Sequence, residues 1–175
     1  CNDNIEMQYT DKIVSIIIGG QNRHYKFSKK IILDLIEKII KLKNKFNNYN
    51  FLVIGSRRTS VKAIHLLKNK LDGIAYVWNK KTKNPYLFAL KNSKYFIVTS
   101  DSTSMISECA FTGKPIYVYH LPFKRISKRI ENFHNEFENK KITRKFNGNL
   151  EVWKYENLDE AKRIASILRL RILNS

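Results

Sequence analysis

Residues Tyr95–Tyr119 read YFIVTSDSTSMISECAFTGKPIYVY, and they carry the plan of the whole chain. An apolar run, YFIV, ends in small hydroxyl residues and one aspartate between Thr99 and Ser104; a helical pattern follows, and Gly113-Lys114-Pro115 turns into a second apolar run, IYVY. In order this is strand, polar loop, helix, turn, strand. At the joint the first helical N–H groups have no intrahelical partner and the helix dipole is positive, so the place suits a phosphate or a sugar hydroxyl. Ligands of open parallel sheets collect at this end of the strands. Simple capping of the helix by Asp101 or Ser102 accounts for the same residues equally well.

Working outward, Ile13–Ile18 (IVSIII) is a nearly continuous β-branched run, the pattern of a strand covered on both faces, and Gly19-Gly20 ends it. The loop GGQNRHYKFS precedes a helix whose apolar positions Ile32, Leu35, Ile36, Ile39 and Ile40 recur at helical spacing. Two glycines let a backbone come close to a ligand, although this loop matches neither GxGxxG nor a Walker loop. Phe51–Gly55 (FLVIG) reads as a second buried strand and runs into Ser56-Arg57-Arg58-Thr59-Ser60 before a helix through about Asn69. Adjacent arginines beside hydroxyls at a strand end form a site for phosphate oxygens; a solvated pair is the plainer reading.

Ile74–Trp78 (IAYVW) reads as a third strand, and Asn84-Pro85 opens a helix to about Lys91, with Asn84 as cap and Pro85 at the first position. Beyond Tyr119, the residues Ile126, Ile130, Phe133 and Phe137 share one face of an amphipathic helix that starts among Lys124, Arg125, Lys128 and Arg129. Packing onto the sheet is the common fate of such a face, and a membrane surface is the other. Leu150–Tyr155 (LEVWKY) is apolar enough to pack or add a short strand; Asn157 and Glu160 give a capping-box start to a last helix carrying Ala161, Ile164, Ala165 and Leu168. With no internal repeat and no low-complexity linker, the alternation specifies one doubly wound, Rossmann-like α/β domain on a parallel sheet.

A chain of 175 residues with 43% hydrophobic and 12% aromatic residues builds one well-buried domain. Its longest apolar run, Ile13–Ile18, has strand length and does not span a bilayer. The chain starts at Cys1 with a polar lead-in through residue 12 that resembles no signal or transit sequence, and reads as a piece of something longer. Cys1 and Cys109 support neither a disulfide framework nor a zinc site and fit a reduced, cytoplasmic setting. A formal charge of +18 attracts nucleic acid, anionic lipid or a phosphorylated ligand. Lys, Asn and Ile dominate together, as AT-rich coding produces, so the charge is spread over most helices. Nucleic acid is not expected as a partner, because no binding module is present and the aromatics sit within apolar runs.

Several segments together resemble the mitochondrial fission family: IIIGGQNRHYKF, LVIGSRRTS, Trp78 with Asn84-Pro85-Tyr86, VTSDSTSMISECAFTGKPIYVY and FNGNLEVWKY, in the family's order and across nearly the whole chain. That family looks like the glycosyltransferase-B architecture, two Rossmann-like domains facing a cleft. The resemblance implies that residues 1–175 form the C-terminal, nucleotide-sugar-binding domain and that an N-terminal domain supplies much of the acceptor site and, in many such enzymes, the catalytic base. It also implies residue roles. Gly19, Gly20 and Asn22 would approach the diphosphate or sugar; Ser56, Arg57 and Arg58 would supply charge and hydrogen bonds to the phosphates; Asp101, Ser102 and Ser104 would face the phosphates at the helix start; Glu108, one turn on, would accept from ribose hydroxyls.

Arginines and a helix N-terminus can stabilise a departing nucleoside diphosphate without a metal, so no metal and no cofactor beyond the nucleoside-diphosphate sugar itself are expected. A general base within this chain would come from His24 or His120, whereas His65 and His134 fall on helices as ordinary helix residues. The alternative reading is a non-enzymatic peripheral protein of the same fold whose basic helix from Ile126 touches an anionic membrane surface.

Overall fold

The computed structural model describes residues 12–156. The lead-in before them and the expected last helix from Asn157 lie outside the described residues. The elements follow in strict alternation: β1 (Ile13–Ile18), α1 (Lys29–Lys45), β2 (Asn50–Gly55), α2 (Val61–Lys70), β3 (Tyr76–Val77), α3 (Tyr86–Asn92), β4 (Ser93–Thr99), α4 (Thr103–Ala110), β5 (Ile116–Tyr119), α5 (Lys128–Asn139) and β6 (Thr143–Lys145). The strands pair in the order β3-β2-β1-β4-β5-β6, every pair parallel. The doubly wound α/β expectation is therefore met, and the order reverses between β1 and β4, where ligands bind in sheets of this kind.

The two-residue period of a strand explains how one continuous apolar run serves two helical layers. Val14, Ile16 and Ile18 pack with Leu35, Ile39 and Leu42 of α1 and Ile64 and Leu67 of α2. Ile17, Phe96 and Val98 face the other way, onto Ile106, Cys109 and Ala110 of α4 and Phe137 of α5, while Ile13, Leu52 and Ile54 meet Ala89 of α3. The single polar residue of β1, Ser15, is satisfied by the Ser93 hydroxyl at 2.6 Å on the neighbouring β4. Ser28 and Ser60 cap α1 and α2 through their side chains.

The structure departs from the sequence reading at the edges. β3 shrinks from Ile74–Trp78 to Tyr76–Val77 because the N–H groups of Ile74 and Ala75 are both taken by the Leu71 carbonyl in a turn through Gly73, which has φ 68. α3 begins at Tyr86, with Pro85 rather than Asn84 at the cap position; the Asn84 amide oxygen accepts from the Tyr86 N–H at 3.0 Å. Ile126 precedes α5 and is 68% exposed, so it does not share that helix's packed face.

Leu150–Tyr155 packs without forming a strand. Trp153 stands edge-on to Tyr117 and donates its indole N–H to the Lys141 carbonyl, and the Tyr155 hydroxyl reaches the Lys114 carbonyl at 2.9 Å. The sheet is closed instead by β6, three residues reading Thr-Arg-Lys. Among the described residues no helix is long and apolar enough to cross a membrane.

Candidate functional site

The loops after β1, β2 and β4 meet at the carboxyl edge of the sheet, and Asp101 is their common partner. Its carboxylate accepts from the Gly20 N–H at 2.9 Å and from the Thr99 hydroxyl at 2.7 Å, and the Arg58 guanidinium lies 3.0 Å away. Thr99 Oγ1 in turn accepts from the Gly19 N–H at 2.8 Å. From the β2 side, the Ser56 N–H donates to the Ile18 carbonyl at 2.7 Å, and the Thr59 hydroxyl reaches the Ile18 and Gly19 carbonyls. The Asp101 side chain is fully buried; burial pushes its carboxyl up, while the bonds from Thr99 and Gly20 and the Arg58 charge pull the other way.

This network shows what the two glycines and two of their expected fellow ligands do in the fold. A Cβ on Gly19 would sit 2.0 Å from Asp101 Oδ2, and one on Gly20 would sit 2.2 Å from the Arg58 carbonyl oxygen. The chain needs glycine here so that three loops can touch, whether or not a ligand comes near. Asn22 is likewise occupied: its amide oxygen accepts from the His24 and Tyr25 N–H groups, both at 2.8 Å, and shapes the loop after β1. Asp101 holds Arg58 rather than presenting its carboxylate outward.

Beside the network lies a cavity of about 510 Å³. Its lining includes Arg57 and Arg58 after β2 together with Ser102 and Ser104 at the start of α4. Ser102 makes no side-chain cap to α4, and its hydroxyl instead takes the second Arg58 nitrogen at 3.1 Å. α4 thus starts at the cavity with no side-chain cap, its positive end there.

Trp78 and Tyr86 line it too, and among the described residues no acidic one lines the cavity. Glu108 does not line it; its Oε2 accepts from the Tyr86 hydroxyl at 2.7 Å, and Tyr86 stands between the carboxylate and the cavity. Burial pushes the Glu108 carboxyl up against the opposing effect of that bond, and pushes the Tyr86 phenol far up.

One member of the site left no signal in the sequence reading. Lys80, at φ 65, turns back so that its ammonium lies 2.7 Å from both the Ser56 and Thr59 carbonyls, clamping the arginine loop from below, and burial lowers its pKa. In a sequence with 33 lysines and arginines nothing local distinguishes it.

The histidines sort differently from expectation. His24 is half-buried beside Arg23, and His65 is exposed on α2. His134, expected to be an ordinary helix residue, is only 5% exposed, and its Nε2 sits 2.9 Å from the Ser100 carbonyl beneath the β4–α4 turn. His120 follows β5 and pairs with Glu138 of α5 at 3.1 Å.

Comparison with known proteins adds relatives to this geometry. The chain is 33% identical over 174 residues to an uncharacterized protein of Rickettsia prowazekii (strain Madrid E), covering 92% of this chain and 47% of that protein. It is 35% identical over 100 residues to the mitochondrial fission protein ELM1 of Arabidopsis thaliana, covering 54% of this chain and 22% of that protein. The chain thus spans about half the length of the first relative and less of the second. Among solved structures, the peptidyl-cysteine decarboxylase EpiD matches at a TM-score of 0.45 and 10% identity over 90% of this chain and 99% of that one. The family model described as mitochondrial fission ELM1 matches residues 3–172, and the chain belongs to that family.

Proposed function

We propose that the cavity binds a nucleoside-diphosphate sugar and that the protein to which this domain contributes transfers the sugar without a metal. The observation that carries this reading is the cavity's lining: two arginines, the start of α4, two aromatic rings and, among the described residues, no acidic side chain. A diphosphate fits beside the arginines and the start of α4, where charge-assisted bonds from guanidinium groups and backbone N–H groups are strongest. A nucleobase fits against Trp78, with the Tyr86 hydroxyl oxygen, its proton held by Glu108, as acceptor for ribose hydroxyls. The volume is of the size that holds such small molecules.

In this reading the same arginines and helix end stabilise the diphosphate as it leaves, which is the charge a metal supplies elsewhere. The assignment of transferase chemistry rests on architecture and on family resemblance. Thermal unfolding with uridine diphosphate tests binding. Saturation at about 100 times Kd raises stability by about 2.7 kcal/mol, a shift on the order of 5–10 °C. Arg57→Ala and Trp78→Ala shrink that shift, and a full-length protein that answers to no nucleoside diphosphate refutes the reading.

One feature favours a second reading, contact with an anionic membrane. Ile126 protrudes, 68% exposed, between the exposed side chains of Lys124, Arg125, Lys128 and Arg129. Flotation with phosphatidylserine vesicles that falls with salt and with Ile126→Ser supports it; absence of flotation at low salt removes it.

A further inference from the structure

A second, smaller cleft of about 300 Å³ lies at the same edge of the sheet, and the nucleotide reading makes no use of it. One face of α5 supplies Glu131, His134, Asn135 and Glu138, spaced so that they stack along the helix. The loop after β5 supplies His120, and the end of β6 supplies Lys145. Within it His120 Nε2 meets Glu138 Oε1 at 3.1 Å, and the other Glu138 oxygen lies 3.9 Å from the Lys145 ammonium. The His134 ring stands edge-on to His120 at 5.4 Å between centroids, with its Nε2 held by the Ser100 carbonyl and 3.3 Å from the Tyr25 hydroxyl.

A carboxylate on Nε2 fixes the His120 proton there and leaves Nδ1 as a lone pair, the arrangement of an oriented general base. Burial lowers the His120 pKa, as Lys145 does, while Glu138 raises it, so its ring is kept mainly neutral near pH 7; burial lowers His134 as well, against its bond to the Ser100 carbonyl. The position also fits. β5 is the neighbour of β4, one step of about 4.8 Å further along the edge from the turn that carries Ser102. A ligand with its base at β3 and its phosphates at the β2 and β4 loops points its sugar toward β5.

We infer that His120, oriented by Glu138, is the proton acceptor for the hydroxyl nucleophile in sugar transfer, so that this domain brings a base as well as the donor site. The inference rests on the proposed nucleotide-sugar reading. In the step, the acceptor O–H gives its proton to His120 Nδ1 as its oxygen bonds to the anomeric carbon. The bond from that carbon to the diphosphate oxygen breaks, and its electron pair leaves on the diphosphate beside Arg57 and Arg58. Glu138 is a positioning residue, because it acts through the imidazole.

The test uses the full-length protein with uridine diphosphate glucose and uridine diphosphate N-acetylglucosamine, following release of uridine diphosphate, with water or added sugar as acceptor. His120→Gln is expected to lower turnover by about 100-fold or more while leaving the uridine-diphosphate melting shift intact. Glu138→Gln lowers turnover less and moves the acidic limb of the pH–rate profile to lower pH, because the carboxylate that raises the His120 pKa is gone. Imidazole nitrogen NMR of the unmodified protein should show the Nε2–H tautomer of His120.

Turnover in His120→Gln within threefold of the parent, an Nδ1–H tautomer, or no turnover of either sugar nucleotide by a protein that still binds uridine diphosphate overturns the inference and leaves the binding reading standing. Loss of nucleotide binding altogether defeats the binding reading, and the inference falls with it.

Discussion

Gly19→Ala is expected to destabilise the domain through one identifiable collision, and removing the other party to that collision should restore the loss. The new methyl carbon would lie 2.0 Å from Asp101 Oδ2 and 2.3 Å from Oδ1, far inside the 3.4 Å at which ordinary contact begins. The carboxylate must then leave, which strands the Gly20 N–H and the Thr99 hydroxyl. Overpacking and a lost buried hydrogen bond together cost about 3 kcal/mol. Arg58 adds little to this figure, because its side chain is 40% exposed and can turn to water.

Asp101→Ala alone costs about 2–3 kcal/mol for the same stranded donors, but it also empties the space that the Gly19 methyl needs. The double variant should therefore be no less stable than Asp101→Ala, a coupling of about 3 kcal/mol between the two sites. Gly20→Ala behaves otherwise. Its methyl meets the backbone of Arg58, at 2.2 Å from O and 2.4 Å from C, so Arg58→Ala should not rescue it. Urea titrations of the four single variants and two doubles, read as midpoints at constant slope, measure both cycles. Additive losses for Gly19 with Asp101, or rescue of Gly20→Ala by Arg58→Ala, would refute the account of how the three loops are joined.

The buried carboxyl of Glu108 should make stability fall as pH rises above its ordinary value of 4.5, because the folded protein holds the proton more tightly than the unfolded chain; urea midpoints across pH 4–8 should decline less in Glu108→Gln than in the parent. Lys80→Met should release the Ser56–Thr59 loop and weaken uridine diphosphate binding by about tenfold with only a modest fall in melting temperature, as seen by calorimetric titration. Trp153→Ala should cost about 3–4 kcal/mol in urea, since the ring is 8% exposed, packs against Tyr117 and anchors the segment after β6 to the Lys141 carbonyl.

Much of this architecture is written in local chemistry. The run Ile13–Ile18 could only be a strand buried on both faces, and the helices α1, α2 and α4 declare themselves by spacing and, for the first two, by Ser28 and Ser60 at their starts. β6 was not legible, because Thr-Arg-Lys has neither apolar alternation nor β-branched enrichment; pairing with the open edge of β5 makes it a strand. The clustering of Ser56, Arg57, Arg58, Ser102 and Ser104 was legible as far as topology goes, since parallel strands put their following loops at one edge.

What each polar residue does there was decided by the folded chain. The sequence by itself determined a parallel α/β sheet with glycine, arginine and hydroxyl loops at its carboxyl edge, because periodicity and capping are short-range properties that a residue carries with it. The tertiary structure decided that Asp101 and the two glycines join loops, that Lys80 is a clamp, that Tyr86 shields Glu108, and that His120 meets Glu138. Those roles depend on distances between residues from 18 to 82 positions apart, and only packing fixes such distances.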